Sequence, residues 1–396
     1  MSNEREVMVL SGVRTAIGDY GGALKDQPPS ELAAQAIREA VKRAKVDPGE
    51  VGAMVLGNVI HTEARDMYIS RVACIKAGLP QEATALTVNR LCGSGLQAII
   101  SAAQMIKLGD VDVAVGSGAE SMSRGGYLMP TLRWGQRMSD GNVIDMMVGA
   151  LTDPFDTVHM GITAENIAAQ WKITREQQDE FAVESHRRAI HAIEKGYFKD
   201  QILPIELKTR KGTTVFDKDE HPRADATLEG MAKLRAAFKK DGSVTAGNAS
   251  GINDGAAAIV MMEKSAAEKQ GLKPMARLVS YGIAGVDPKI MGIGPVPACT
   301  NALNKAGLKV SDMDVIEANE AFAVQAMAVA CDLKFDAKKT NPNGGAVGLG
   351  HPIGATGALL TVKALYELER IGGKYAMVTM CIGGGQGIAA IFERLH

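Results

Sequence analysis

The chain has 396 residues, 46% of them hydrophobic and 22% charged, with a formal net charge of −1; this is the profile of a globular protein long enough for two domains or one large layered one. That balance gives no electrostatic case for nucleic acid or an anionic membrane as partner, and no run approaches the ~18 apolar residues of a membrane span. The five cysteines, Cys74, Cys92, Cys299, Cys331 and Cys381, are odd in number and form no C-x-x-C pair, which argues against a disulfide framework or zinc site and for a reducing cytoplasm.

The apolar pattern predicts a strand over 6–12, a helix over 29–44 with Ser30 as its N-cap, a strand over 51–58 and a helix over about 67–77. An extended run, Ala85-Leu86-Thr87-Val88, then leads into Asn89-Arg90-Leu91-Cys92-Gly93-Ser94-Gly95, and a helical pattern starting at Leu96 leads out. Cys92 therefore sits at a strand-to-helix junction, where unpaired backbone N–H groups and the helix dipole favour a thiolate. Taken alone, the stretch reads more readily as a small buried hydrophobe at a helix start. A strand over 111–116 follows. Strands alternating with helices argue for an α/β fold with a parallel sheet covered on both faces. Residues 1–7 carry neither an apolar signal core nor a basic transit pattern. The last four, Glu393-Arg394-Leu395-His396, are not a peroxisomal address. The expected location is the cytoplasm.

The second half repeats the order of the first. The segments beginning at Ala44 and Ala306 align at an offset of 306 − 44 = 262, and the helices at Gly95 and Gly357 and the strands at Val113 and Tyr375 share it. The last strands, starting at Gly255 and Gly387, align at 387 − 255 = 132. The difference, 262 − 132 = 130, places an insertion in the first half. The expected organisation is an N-terminal half at 1–119 and 251–270, a loop domain at 120–250 and a C-terminal half at 271–396. The insertion holds Trp134, Trp171, Met138, Met146 and Met147, and an amphipathic helix with Phe181, Ala182, Ala189, Ile190 and Ile193 at helical spacing. An excursion of this length reads as a lid or ligand-binding subdomain.

Three more stretches carry candidate chemistry. Ile316-Glu317-Ala318-Asn319-Glu320 is a strand end followed by a helix. A glycine-rich segment, 343–357, presents His351 just before a helix. Met380-Cys381-Ile382-Gly383-Gly384-Gly385 ends a strand in a second cysteine. Open α/β sheets place ligands beyond such strand ends. Subtracting 262 puts His351 at Asn89 and Gly354 at Cys92, so the two halves present Cys92 and His351 on related turns. Gly348-Leu349-Gly350 fails the spacing of a nucleotide-binding loop.

Five blocks, in order along essentially the whole chain, resemble the thiolase family: Asn89-Arg90-Leu91-Cys92-Gly93-Ser94-Gly95, Gly247-Asn248-Ala249-Ser250-Gly251-Ile252-Asn253-Asp254-Gly255, Asn319-Glu320-Ala321-Phe322, Gly350-His351-Pro352-Ile353-Gly354 and Cys381-Ile382-Gly383-Gly384-Gly385. The likeness is strongest to bacterial β-ketothiolases (acetyl-CoA C-acetyltransferases) of the biosynthetic type, including those tied to polyhydroxyalkanoate supply. It implies a five-layered αβαβα fold of two similar halves with a loop domain in the first. It also implies reversible Claisen condensation of acetyl-CoA with acetyl-CoA or another short acyl-CoA, giving 3-ketoacyl-CoA plus CoA. By resemblance Cys92 is the nucleophile and His351 its base, Cys381 is the base for the second acetyl-CoA, Asn319 holds a water of one oxyanion hole, and Gly383 donates to the other. Leu151, His159, Met160, Arg223, Phe238, Ser250 and Met291 match acyl and CoA contacts. Gly230 stands where the family has a CoA-contacting serine. The same likeness implies no metal and no resident cofactor, acyl-CoA, acetyl-CoA and CoA as the small-molecule partners, and a homotetramer built as a dimer of dimers through an arm at 127–145. Two rival readings are a decarboxylating ketoacyl synthase, against which the second cysteine argues, and a non-catalytic acyl-CoA carrier, against which the set Cys92, His351 and Cys381 argues.

Overall fold

The computed structural model describes residues 5–209 and 212–395; residues 1–4 and His396, which the reading of the two ends includes, lie outside them. Nine strands form the main path of one large sheet. They are β1 (Val7–Thr15), β2 (Ala53–Gly57), β3 (Thr84–Val88), β4 (Val113–Ser121), β5 (Asn253–Glu263), β6 (Ala276–Gly285), β7 (Val315–Ala318), β8 (Tyr375–Ile382) and β9 (Gln386–Arg394). Their order is β7-β8-β9-β6-β1-β5-β4-β2-β3. The first half supplies β1 to β5 and the second β6 to β9. The halves meet at β1 and β6 through two residue pairs only, Met8 with Arg277 and Val9 with Ala276.

The sheet is mixed, which corrects the expectation of a parallel one. β2 runs parallel to β3 and β4, and β7 parallel to β8. β5 is antiparallel to both β1 and β4, and β9 to both β6 and β8. The cause of the misreading is burial. Every residue of β1, β4 and β5 is buried, charged Arg14 and Glu120 included, so neither face of these strands is marked by solvent-facing residues and the sequence does not carry their direction.

Helices cover both sheet faces and fill the space between the halves. α1 (Pro29–Ala44) and α2 (Ile69–Ala77) pack on the outside of the first half, and α3 (Ser94–Leu108) on its inner side. α1 begins on Pro29 at N1 with Pro28 at the cap position, so Ser30 lies inside the helix and is not the cap. α4 (Met160–Trp171) and α5 (Arg175–Glu194) belong to the segment between β4 and β5. α6 (Pro295–Ala306) lies outside the second half, α7 (Ala323–Leu333) follows β7, and α8 (Ile353–Arg370) touches strands of both halves.

α3 and α8 form the central helical layer and obey the repeat. Gly95 and Gly357 differ by 262, as do Leu96 and Ala358. A Cβ on Gly95 would come within 2.7 Å of the backbone N of Ala358, and one on Gly357 would land on the backbone N of Leu96. Each glycine removes the side chain where the other helix crosses. The two helices thus meet about a pseudo-twofold axis, and the turns before them carry Cys92 and His351 to one cavity.

Between Ser121 and Asn253 the chain leaves the sheet. Strand Ile202–Leu203 returns to pair with β1. Arg14 of β1 is fully buried and donates to both carboxylate oxygens of Asp219, at 2.7 and 2.9 Å, and to Gln201. The buried face of α5 includes Ala182 and Ala189 but also Gln178, Asp179, Ser185 and His186. These polar groups are paired across to Ser243, Asn248, Glu320 and the backbone of Arg223. Apolar spacing alone reads only half of that face.

Candidate active site

Cys92 stands on a tight turn between β3 and α3. Leu91 has a positive φ of 43°, unusual for a residue with a branched side chain and characteristic of strained functional turns. Ser94 holds it: the Oγ accepts from Arg90 N at 2.8 Å and donates to Leu91 O at 2.6 Å. Gly93 lets the turn press on the end of β8, since a Cβ there would lie 2.6 Å from Ile382 Cδ1. That contact seats Cys92 beside the strand that carries Cys381.

His351 arrives on the related turn of the second half. Gly350 precedes it at φ 105°, where a Cβ would meet the Asn253 amide at 2.5 Å. The His351 backbone N–H donates to Asn253 Oδ1 at 2.9 Å. On the ring, Nδ1 lies 2.6 Å from Thr356 Oγ1, and that hydroxyl is 2.9 Å from Pro352 O. A hydroxyl has one proton. Donated to the Pro352 carbonyl, it leaves Thr356 accepting from Nδ1–H. The Nε2 lone pair is then free, and Asn319 Nδ2–H faces it at 3.4 Å. Both ends of the ring fit one tautomer, with Nε2 able to take a proton.

Asn319 is 1% exposed and follows β7; its N–H donates to Thr379 O, and its Oδ1 makes no hydrogen bond to the described residues. Cys381 is fully buried in β8 opposite Gly387.

A cavity of about 370 Å³ opens in front of these turns. Its wall includes Cys92, His351 and Gly383 together with Leu151, His159, Met160, Phe238, Ser250 and Met291. Asn319 and Cys381 lie behind that wall rather than on it. Arg223 is not on it either; it lines a separate surface depression with Arg187 and His191. Gly230 is exposed, on the short helix Leu228–Ala232, and a Cβ there would meet only Thr227 Oγ1. The His159 ring stacks on Phe238 at 4.5 Å between centroids. Its Nδ1 accepts from Gly161 N at 3.0 Å, so Nε2 is left as an N–H donor. Sequence reading missed Met122, Ala249, Phe322, Ile353 and Thr356. Four of these adjoin or fall within the motif blocks, Ala249, Phe322, Ile353 and Thr356, and the periodicity of those blocks carries no sign of a cavity.

The electrostatics correct one expectation. The helix start was assigned a thiolate-favouring role, yet burial pushes the Cys92 thiol up to about 11, with the Glu120 carboxylate adding to the push. The backbone N–H groups of Gly383 and Cys92 pull the other way and lose. Cys92 lies two residues before the first helical residue, off the helix end itself. Burial, with Cys92 nearby, raises the Cys381 thiol above the usual range. Burial drives His351 down to about 4 and lowers His159 as well. The resting site holds neutral thiols and a neutral imidazole.

Among known proteins, residues 7–265 match the family model described as "Thiolase, N-terminal domain" and residues 272–394 the one described as "Thiolase, C-terminal domain". The chain is 66% identical to beta-ketothiolase BktB of Cupriavidus necator over 99% of its length and 100% of that protein. It is 51% identical to the acetyl-CoA acetyltransferase of Syntrophomonas wolfei, covering 99% of this chain and 100% of the relative. The crystal structure of the Bacillus anthracis acetyl-CoA acetyltransferase superposes with a TM-score of 0.97 at 49% identity, covering 99% of both chains. Human mitochondrial 3-ketoacyl-CoA thiolase in complex with CoA superposes at 0.96 and 45% identity, over 99% of this chain and 98% of that one.

Proposed function

The chain belongs to the thiolase family, and from that premise we infer that its cavity condenses acetyl-CoA with acetyl-CoA or another short acyl-CoA, reversibly, to 3-ketoacyl-CoA plus CoA. The protein is an acyltransferase of the β-ketothiolase type. The observation that supports these roles best is the meeting of Cys92, His351 and Gly383 on one cavity wall, with Cys381 packed behind it.

In the first half-reaction the Cys92 sulfur attacks the thioester carbonyl while its proton passes to His351 Nε2. The CoA thiolate leaves and takes that proton. Moving the proton before attack is uphill. Burial raises the thiol to about 11 and lowers the imidazole to about 4, so it disfavours both members of a thiolate–imidazolium pair formed ahead of attack. Proton transfer therefore accompanies bond formation, and the site keeps a protonated, poorly reactive thiol until a thioester is bound. In the second half-reaction Cys381 gives its thiol proton to His351 Nε2 and takes an α-proton from acetyl-CoA in its place. The resulting carbon attacks acyl-Cys92, and the released Cys92 thiolate recovers a proton from His351. A water held by Asn319, with His351, stabilises the enolate oxygen, and the N–H groups of Cys92 and Gly383 the tetrahedral oxyanion. Leu151, Met160, Phe238, Ser250 and Met291 wall the acyl and pantetheine path, with His159 Nε2–H as donor to it. Arg223 serves the nucleotide end of CoA, outside the cavity. The reaction as written uses no metal or resident cofactor. The location is the cytoplasm; among the described residues no helix is long and apolar enough to cross a membrane. The assembly is a dimer of dimers. Its support is the exposed pair Tyr127–Leu128 and Ile144–Asp145, whose connecting loop carries Trp134, 87% exposed, and Met138.

Intact mass after mixing with acetyl-CoA tests the roles. Cys92→Ala should carry no acetyl adduct. Cys381→Ala should acetylate at Cys92 and lose condensation. A persistent adduct in the first variant, or near wild-type condensation in the second, would overturn the assignment.

A further inference from the structure

Glu120, the residue before the last of β4, is a fully buried carboxylate with no part in the reaction above. Its Oε1 accepts from Asn58 Nδ2 and from Ile60 N, both at 3.1 Å. Its Oε2 accepts from Val59 N at 3.1 Å and from Gly354 N at 2.9 Å. These are four N–H donors on two oxygens, with no lysine or arginine among them. An ionised carboxylate can accept all four, whereas a protonated one must turn its own O–H toward a donor. Burial nonetheless pushes its pKa up to about 8 against those bonds. So costly a group is kept in a protein interior where its hydrogen bonds specify an arrangement.

The arrangement joins the segment that leaves β2 to the His351 turn. Residues 58–60 leave β2 in the first half, and Gly354 lies three residues after His351 in the second. A Cβ on Gly354 would sit 2.5 Å from Glu120 Oε2 and 3.0 Å from Asn58 Cα, so glycine is what lets the two segments meet on the carboxylate. Val59, Ile60 and Ile353, the residues held on either side, pack with Cys92 in one apolar cluster. Resting on Cys92 as the acyl carrier, we propose that Glu120 is a positioning residue: it clamps the Cys92 wall to the His351 turn and, when ionised, places a negative charge near the nucleophile.

Glu120→Gln keeps the size and replaces an acceptor by an N–H donor aimed at other donors. It should lower kcat about ten- to hundredfold, the scale of an ångström-level misplacement, with KM for CoA changed less than about twofold. The midpoint of Cys92 alkylation by iodoacetamide should move to lower pH, because the nearby charge is gone. A merely structural role would not move that midpoint. Wild-type kcat, or a loss of kcat with the midpoint unmoved, overturns the proposal. Should Glu120→Gln not fold, Asn58→Ala removes one clamp donor and leaves the charge: kcat should fall with no downward shift of the midpoint, and an unchanged kcat overturns the proposal. Intact mass of the wild type with acetyl-CoA is taken first. If Cys92 carries no adduct, the catalytic reading itself fails; if it does and Glu120→Gln behaves as wild type, only the clamp fails.

Discussion

Thr356→Val tests how the imidazole is set. The substitution keeps the branched shape and removes the hydroxyl that is 2.6 Å from His351 Nδ1. Thr356 is 2% exposed and His351 5%, so no bulk water replaces the lost acceptor. An unsatisfied buried donor costs about 1–3 kcal/mol. That penalty falls on the tautomer with a proton on Nδ1, the form whose Nε2 can receive the Cys92 proton. At about 1.4 kcal/mol per factor of ten, kcat should fall about 5- to 150-fold. The assay is kcat for thiolysis of acetoacetyl-CoA together with the single-turnover rate of acetyl-Cys92 formation by intact mass. Both should fall together, since the base serves acyl transfer in each direction. Thr356→Ser, which retains the hydroxyl, should recover most of the rate. Tm is recorded for both variants to separate lost folding from lost chemistry. A Thr356→Val enzyme that folds and turns over within twofold of wild type would refute the tautomer argument.

His351 also makes acid stability predictable. Its folded pKa of about 4 lies below the unfolded ~6.5, so the unfolded chain binds the proton more readily. Stability is therefore full above about pH 6.5 and declines toward pH 4, by about 3 kcal/mol from this group; chemical denaturation across that window should show a steeper loss for wild type than for His351→Gln. Gly357→Ala places a Cβ on the backbone of Leu96 in the central helical layer. It should cost about 3 kcal/mol or more, at the upper end of overpacking, and equal denaturation midpoints for variant and wild type would contradict the crossing. Trp134→Asp should convert the dimer of dimers to dimers in sedimentation analysis, and an unchanged sedimentation coefficient would remove the arm from the assembly.

The amino-acid sequence by itself determined a great deal here. The 262-residue offset is chemical information, because each half must bury the same strand and helix faces, and it holds from the ends of α1 and α6 at residues 44 and 306 to the starts of β4 and β8 at 113 and 375. Cys92, His351 and Cys381 were legible because small residues and glycines crowd them at strand ends, where backbone must approach backbone. Strand direction was not legible: a strand buried on both faces shows no exposed side whichever way it runs. Nor was the titration of the site, since a cysteine next to a helix start says nothing of how much apolar surface will surround it, and at Cys92 burial raises the thiol. The Thr356 hydroxyl and the Glu120 clamp appear only once the chain is folded. Hydrogen bonds of Glu120 to residues 60 positions before it and 234 after it leave no periodic trace, because they depend on three-dimensional proximity rather than on spacing along the chain.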